Sequence, residues 1–94
     1  MLIYPVLAGS VDSEGNDELV RIFKTYNSAF SYAMRQASNE AIEMTSDSGR
    51  QYMVTTSTVQ SDLDNTARVA VHPEDRDAAA ADFWWVIQET ELLD

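Results

Sequence analysis

The run Phe83-Trp84-Trp85-Val86-Ile87 constrains the fold more than any other stretch of the chain. It places five large apolar residues in a row and contains both tryptophans of the protein. A single aromatic side chain buries roughly 150–250 Å². In a chain of 94 residues, this run must lie at the centre of the core, and the other segments must cover it. A chain of this length predicts one domain, residues 1–94.

This run is compatible with two structures. At the end of a helix, five consecutive apolar residues would face every direction, which a small domain can hardly cover. Glu89 and Glu91 would also lie at the negative end of the helix dipole. Aromatic and β-branched residues favour a strand. We therefore predict a short helix over 74–82, beginning at Pro73, and then a strand over 83–91. That strand is expected to be central, with a helix covering at least one of its faces. A single helix over 74–91 is the alternative.

The N-terminal segments predict a β-hairpin. Residues 2–8 and 18–25 are rich in apolar and strand-favouring residues, and a polar loop over 9–17 separates them. Pro5 has no N–H to donate to a ladder, so the first strand is expected at an edge of the sheet or with its N–H side free.

The middle of the chain predicts one amphipathic helix and a second hairpin. Apolar residues follow the helical spacing over 28–39, after Asn27 and Ser28 as a helix start. The period then changes to alternation, which predicts strands 41–46 and 50–59 around a turn at Gly49. The alternative is a helix that continues to Met44. With a short strand over 67–71, the fold class is α+β: a small antiparallel sheet of about four to six strands with two hairpins.

Net charge limits the functional classes. Sixteen acidic residues face six basic ones, giving a formal charge of −10 and a pI near 4.2. Nucleic acids and anionic membranes are poor partners for such a chain, because phosphate binding needs Lys and Arg. A protein partner with a basic surface fits better, although acidity can also serve solubility or adaptation to high salt. The chain has no cysteine, no membrane-length apolar run and no signal-peptide pattern, so a cytoplasmic location is expected.

Candidate chemistry is sparse. The acidic loop over 12–18 does not match an EF-hand, because its glycine is not at the position that the motif requires and the residue at the twelfth position is not the required Glu. His72 is the single histidine, which is poor support for a metal site. The hydroxyl run over 55–58 is typical of an exposed β face, and the carboxylate pair Asp62 and Asp64 is unremarkable in so acidic a chain. We therefore expect no catalytic residue, no metal and no cofactor, and predict that the protein is not an enzyme.

The acidic residues concentrate in the last part of the chain, where seven acids between Glu74 and Asp94 accompany one base. The predicted partner-binding surface consists of Glu74, Asp75, Asp77, Asp82, Glu89 and Glu91. In general profile the chain resembles the small accessory proteins of bacteriophages and mobile elements, a resemblance of type that involves no shared motif. Many such proteins block a host protein, including anti-CRISPR and anti-restriction inhibitors, and some mimic DNA.

Two functional hypotheses follow. The first is a stoichiometric inhibitor that presents its acidic surface to a basic nucleic-acid-binding site of a host complex. The second is an assembly domain that forms a homodimer through an edge strand or through the Trp84 and Val86 side of the C-terminal strand. An acid–base or metal-assisted enzyme is a third and weaker hypothesis, which requires several carboxylates converging on a pocket.

Overall fold

A computed structural model describes residues 1–13, 17–60, 65–77 and 80–93. These residues form a six-stranded antiparallel sheet and one α-helix, which confirms the predicted α+β class. In chain order the elements are β1 (Leu2–Ser10), a short 3-10 turn (Val11–Ser13), β2 (Glu18–Phe23), α1 (Tyr26–Ser48), β3 (Tyr52–Gln60), β4 (Asn65–Pro73), β5 (Phe83–Gln88) and β6 (Thr90–Glu91). The strands are arranged in the order β2-β1-β5-β4-β3, and β6 pairs with β1.

The apolar run forms the central strand. β5 lies between β1 and β4 and pairs with both, so the alternative of one helix over 74–91 is wrong. The predicted second helix over 74–82 is not confirmed. Residues 74–76 form a turn, and residues 78 and 79 lie outside the described part of the chain. The predicted strand over 83–91 is interrupted at Glu89, whose N–H donates to the Asn65 carbonyl.

The pairing of β1 with β5 and β6 is interrupted at two positions. The shared register of β5 and β6 places Pro5 opposite Gln88 and Tyr4 opposite Glu89, and neither pair belongs to the ladder. Proline has no N–H for a ladder, and Pro5 is one of the two residues of β1 that stay unpaired on this side. The predicted hairpin of β1 and β2 is confirmed. However, β1 is paired on both sides, so its expected place at a sheet edge is wrong. Pro5 pairs with Ile22 of β2 and has no partner in the ladder with β5 and β6.

The helix is much longer than predicted. It continues to Ser48, so the predicted strand over 41–46 is wrong, whereas the strands predicted over 50–59 and 67–71 are present within β3 and β4. Four buried alanines, spaced four residues apart, form a stripe along one face of the helix, the alanine stripe: Ala29, Ala33, Ala37 and Ala41. The Thr25 hydroxyl accepts the Ser28 N–H at the start of the helix, and Gly49 ends it with a φ of 72°.

The alanine stripe of α1 packs against one face of the sheet. Side chains alternate along a strand, and the residues facing the helix are the buried ones: Val6, Ala67, Val69, Val71, Trp85 and Ile87. Larger aromatic side chains surround the stripe near the start of the helix, where Tyr26 stacks on Phe30 and meets the edge of Tyr4. The small alanine side chains let the helix lie close to the sheet.

Enlarging the stripe tests this packing. Ala37 is fully buried, so Ala37→Leu is expected to destabilise the fold by about 1–3 kcal/mol through overpacking. Urea unfolding followed by circular dichroism measures the change. Ser38→Leu is the control, because Ser38 is exposed on the same helix and its effect is expected within about 0.5 kcal/mol. Equal losses in both variants would contradict the assigned stripe.

Candidate functional site

The side of the sheet away from α1 is the uncovered face. Strand alternation and register place its side chains in cross-strand rows. The middle row runs from β2 to β3 as Leu19, Leu7, Val86, Arg68 and Ser57, and the next row contains Gly9, Trp84, Ala70 and Thr55. The rows are apolar towards β2 and polar towards β3. The uncovered face therefore has an apolar half and a polar half.

The apolar half is well exposed near the β2 edge. Leu19 and Ile22 are each 53% exposed, and Leu7, Val86 and Trp84 are half-buried. Ile22 lies opposite Pro5 on β1, so the apolar surface extends across three strands. Scattered apolar residues are normal on protein surfaces, but a contiguous patch marks an interaction site.

Trp84 lies at the centre of the uncovered face. Its indole Nε1 donates to a carboxylate oxygen of Asp17 at 3.0 Å, and the Arg68 guanidinium lies 5.7 Å from the ring centroid. The ring lies over Gly9 of β1, where a Cβ would be 2.7 Å from the ring atom Cε2 and in closer conflict with Nε1 and with Asp17. A residue with a side chain at position 9 would therefore displace the indole.

This contact gives a second prediction. We expect Gly9→Ala to destabilise the protein by about 1–3 kcal/mol, because the new methyl group must push Trp84 aside. The same change in a Trp84→Ala background should cost much less, so a double-mutant cycle in urea should show clear coupling. Additive losses would mean that the indole does not lie over Gly9 in solution.

The first group of predicted acidic residues lies at the end of the sheet where β4 leaves and β5 begins. Glu74, Asp75 and Asp77 are exposed, and Asp75 forms an ion pair of 2.8 Å with Arg50. Asp82 is different, because it is only half exposed and accepts a hydrogen bond of 2.9 Å from the Tyr52 hydroxyl. Its carboxylate anchors the segment before β5 to the start of β3, so its role is structural.

The second group lies at the opposite end of β5. Glu89 is close to the Asn65 amide, and Glu91 forms a 3.4 Å contact with the N-terminal ammonium. Along β5, at about 3.3 Å per residue, Asp82 and Glu89 are about 23 Å apart. The six predicted residues therefore form two separate acidic ends of the sheet, not one cluster.

The Tyr52–Asp82 pair is the clearest electrostatic feature of the described residues. The hydrogen bond to Asp82, together with burial and the carboxylate charge, raises the pKa of Tyr52 above its ordinary value of 10.0, while Arg50 and Arg76 oppose this shift. Since the protonated phenol is favoured in the folded state, the pair contributes stability below pH 10 that is lost as pH rises towards the folded pKa.

Tyr52→Phe tests this pair. Loss of the hydrogen bond is expected to lower the free energy of unfolding at pH 7 by about 1–3 kcal/mol. The difference between the two proteins should shrink above pH 10. The absorbance titration of the wild type should contain a tyrosine that ionises above the ordinary pKa, and the variant should lack it. A stability difference that does not change with alkaline pH would contradict the assignment.

His72 and the side chains that could bind a metal are the remaining candidates for chemistry. His72 is buried in β4, where Nε2 lies 2.6 Å from the Thr55 hydroxyl and Nδ1 lies 2.9 Å from the Pro73 carbonyl. Both ring nitrogens thus have structural partners. In the described part of the chain, no three His, Cys, Asp or Glu side chains are grouped to hold a metal ion. Both carboxylates of the pair at 62 and 64 lie outside the described residues, as do residues 14–16 of the acidic loop.

Comparison with known proteins identifies no matching family, no similar curated protein and no similar solved structure. Among the described residues, no helix has the length and apolar character needed to cross a membrane.

Sequence reasoning found the acidic residues but missed the apolar half of the uncovered face. The apolar residues of β1 and β2 predict strands, but they do not reveal which face of the sheet the helix covers. The position of Leu19 and Ile22 follows only from the pairing of β2 with β1 and from the placement of α1 on the other side. The sequence did single out Trp84 and Val86 as a candidate contact, and both lie on this face.

Proposed function

We propose that this protein is a small acidic protein–protein interaction module that binds a partner with a basic surface. The observation that carries the proposal is the uncovered face, an apolar patch centred on Trp84 in a chain with a net charge of −10. Tryptophan and arginine are the residues most enriched among binding hot spots, and Trp84 and Arg68 lie together on this face.

Charge indicates which partner fits. The acidic ends lie beyond both ends of β5, so a partner seated along the strand would meet carboxylates on both sides of its apolar contact. Basic residues on the partner would be steered to this arrangement and held in register. Nucleic acid is not proposed as a partner, because its phosphates would be repelled.

In its specific form, the proposal is a stoichiometric inhibitor of a host nucleic-acid-processing complex, acting in the host cytoplasm. The resemblance of type to anti-CRISPR and anti-restriction proteins supports this form. So does the separation of the two acidic ends, because a groove that binds nucleic acid presents basic residues over a comparable length. The protein would occupy this groove, and exclusion of the nucleic acid would follow from steric overlap.

The test is affinity capture from the native host, followed by calorimetric titration of the purified partner. We expect an equimolar complex with a nucleic-acid-binding protein, and its affinity should fall as salt rises. Leu19→Ser, in the apolar half of the uncovered face, should weaken binding by about 1 kcal/mol or more. Leu93→Ser is the matched control, because Leu93 is 91% exposed and lies beyond β6.

Two further variants separate the contributions of the two acidic ends to binding. One replaces Glu74 and Asp75 by their amides, and the other replaces Glu89 and Glu91. Each should reduce the salt dependence if the partner spans the strand. An affinity that is independent of salt concentration would contradict the charge-based mechanism. Equal effects of Leu19→Ser and Leu93→Ser would remove the uncovered face as the interface.

A further inference from the structure

The two edges of the sheet differ in how they are protected. An edge strand presents unpaired N–H and C=O groups, and monomeric proteins block them with charges, prolines or bulges. β2 has such devices, because Glu18 and Arg21 are charged and Val20 is the extra residue of a bulge. The edge strand β2 is therefore a poor template for another strand.

β3 has none of these devices. Its nine residues pair with β4 in continuous register without a bulge, and its outer side has no partner strand among the described residues. The ten residues from Gln51 to Gln60 include no charge and no proline. Thr56, Ser57 and Thr58 are exposed. A long, uncharged edge without a bulge favours strand addition.

The absence of charge on β3 makes a second copy of this chain a compatible occupant of this edge. Two chains of charge −10 repel each other over most of their surface, so a stable contact between copies needs a segment without acids. β3 is such a segment. Apolar side chains flank it on both faces of the sheet, since Ile42 of α1 is 68% exposed and Met53 is 42% exposed. Ile42 lies beside Tyr52 at the start of the strand.

We propose that the protein forms a symmetric dimer in which β3 pairs antiparallel with β3 of a second copy. The register that pairs all nine residues places Thr56 on the two-fold axis and Tyr52 opposite Gln60. This contact is self-complementary and closes at two chains. It joins the two sheets into one, with both helices on one side and both uncovered faces on the other.

The dimer goes beyond the proposed function and does not depend on it. Its consequence is that two apolar patches face the same direction on one continuous sheet. A partner with two equivalent sites would then be bound by both, at a high effective concentration for the second contact. A failed search for a partner would leave the dimer intact, and a monomeric protein could still bind a partner through one uncovered face.

The experiment uses sedimentation equilibrium over a wide range of protein concentrations. The wild type is expected to be a dimer. Thr56→Lys brings two lysines together at the axis, and it should weaken the dimer by more than about tenfold in Kd. Val20→Lys is the matched control, because it adds the same charge to the other edge and should leave Kd unchanged. Circular dichroism verifies that both variants are folded.

A cross-linking experiment supports the result independently of any folding defect. The chain has no cysteine, so Thr56→Cys introduces a single thiol. Residues directly opposite in an antiparallel pair have Cα atoms about 4.5–5.5 Å apart, within the range that a disulfide requires. With oxidised glutathione, Thr56→Cys should form a covalent dimer much faster than Val20→Cys.

Three outcomes would overturn the proposal. The first is a wild-type protein that remains monomeric at all concentrations, which would leave β3 open to a strand from another protein. The second is cross-linking of Val20→Cys at a rate equal to or faster than that of Thr56→Cys. The third is an assembly larger than a dimer, because pairing through one self-complementary edge cannot continue beyond two chains.

Discussion

The structure depends on one constraint: the described part of the chain has one α-helix to cover a sheet with two faces. α1 has 23 residues and is about 34 Å long at 1.5 Å per residue, so it spans the sheet but covers one side. Its alanine stripe brings it close to Val69, Val71 and Trp85, which form the core with their neighbours. The helix does not cover the other side of the sheet. β5 consequently has two different faces, with Trp85 in the core and Trp84 on the uncovered side.

Some of the large apolar residues of the uncovered face are partly shielded within the sheet. Trp84 fills the space above Gly9, its N–H is satisfied by Asp17, and Arg68 lies over its ring. Leu19 and Ile22 remain exposed at the β2 side. The large net negative charge opposes non-specific association of this patch, and it also favours a basic partner. The net negative charge and the exposed apolar residues thus act together in determining what this surface can associate with.

The sequence predicted the secondary-structure elements better than it predicted how those elements are arranged relative to one another. The central strand was predictable because its five consecutive apolar residues, rich in aromatic and β-branched side chains, favour a strand inside the sheet. The predicted helix ends too early because Ile42 and Met44 alternate with polar residues, while the alanine period that continues to Ala41 is a weaker pattern. The break at Glu89 accompanies its hydrogen bond to Asn65, which is distant in the chain. The sequence identifies the acidic residues, but their closeness in the chain does not predict that β5 separates them into two groups.

The contrast between the two sheet edges connects the fold to its use. β2 is bulged and charged, whereas β3 is uncharged and has no bulge. β2 is also the strand that carries exposed Leu19 and Ile22. The apolar half of the uncovered face therefore lies at the protected edge, far from β3. Pairing through β3 would leave that half accessible in both copies, because a two-fold axis normal to the sheet keeps both uncovered faces on one side. The proposed self-association and the proposed partner binding thus use different parts of the sheet, and neither would obstruct the other.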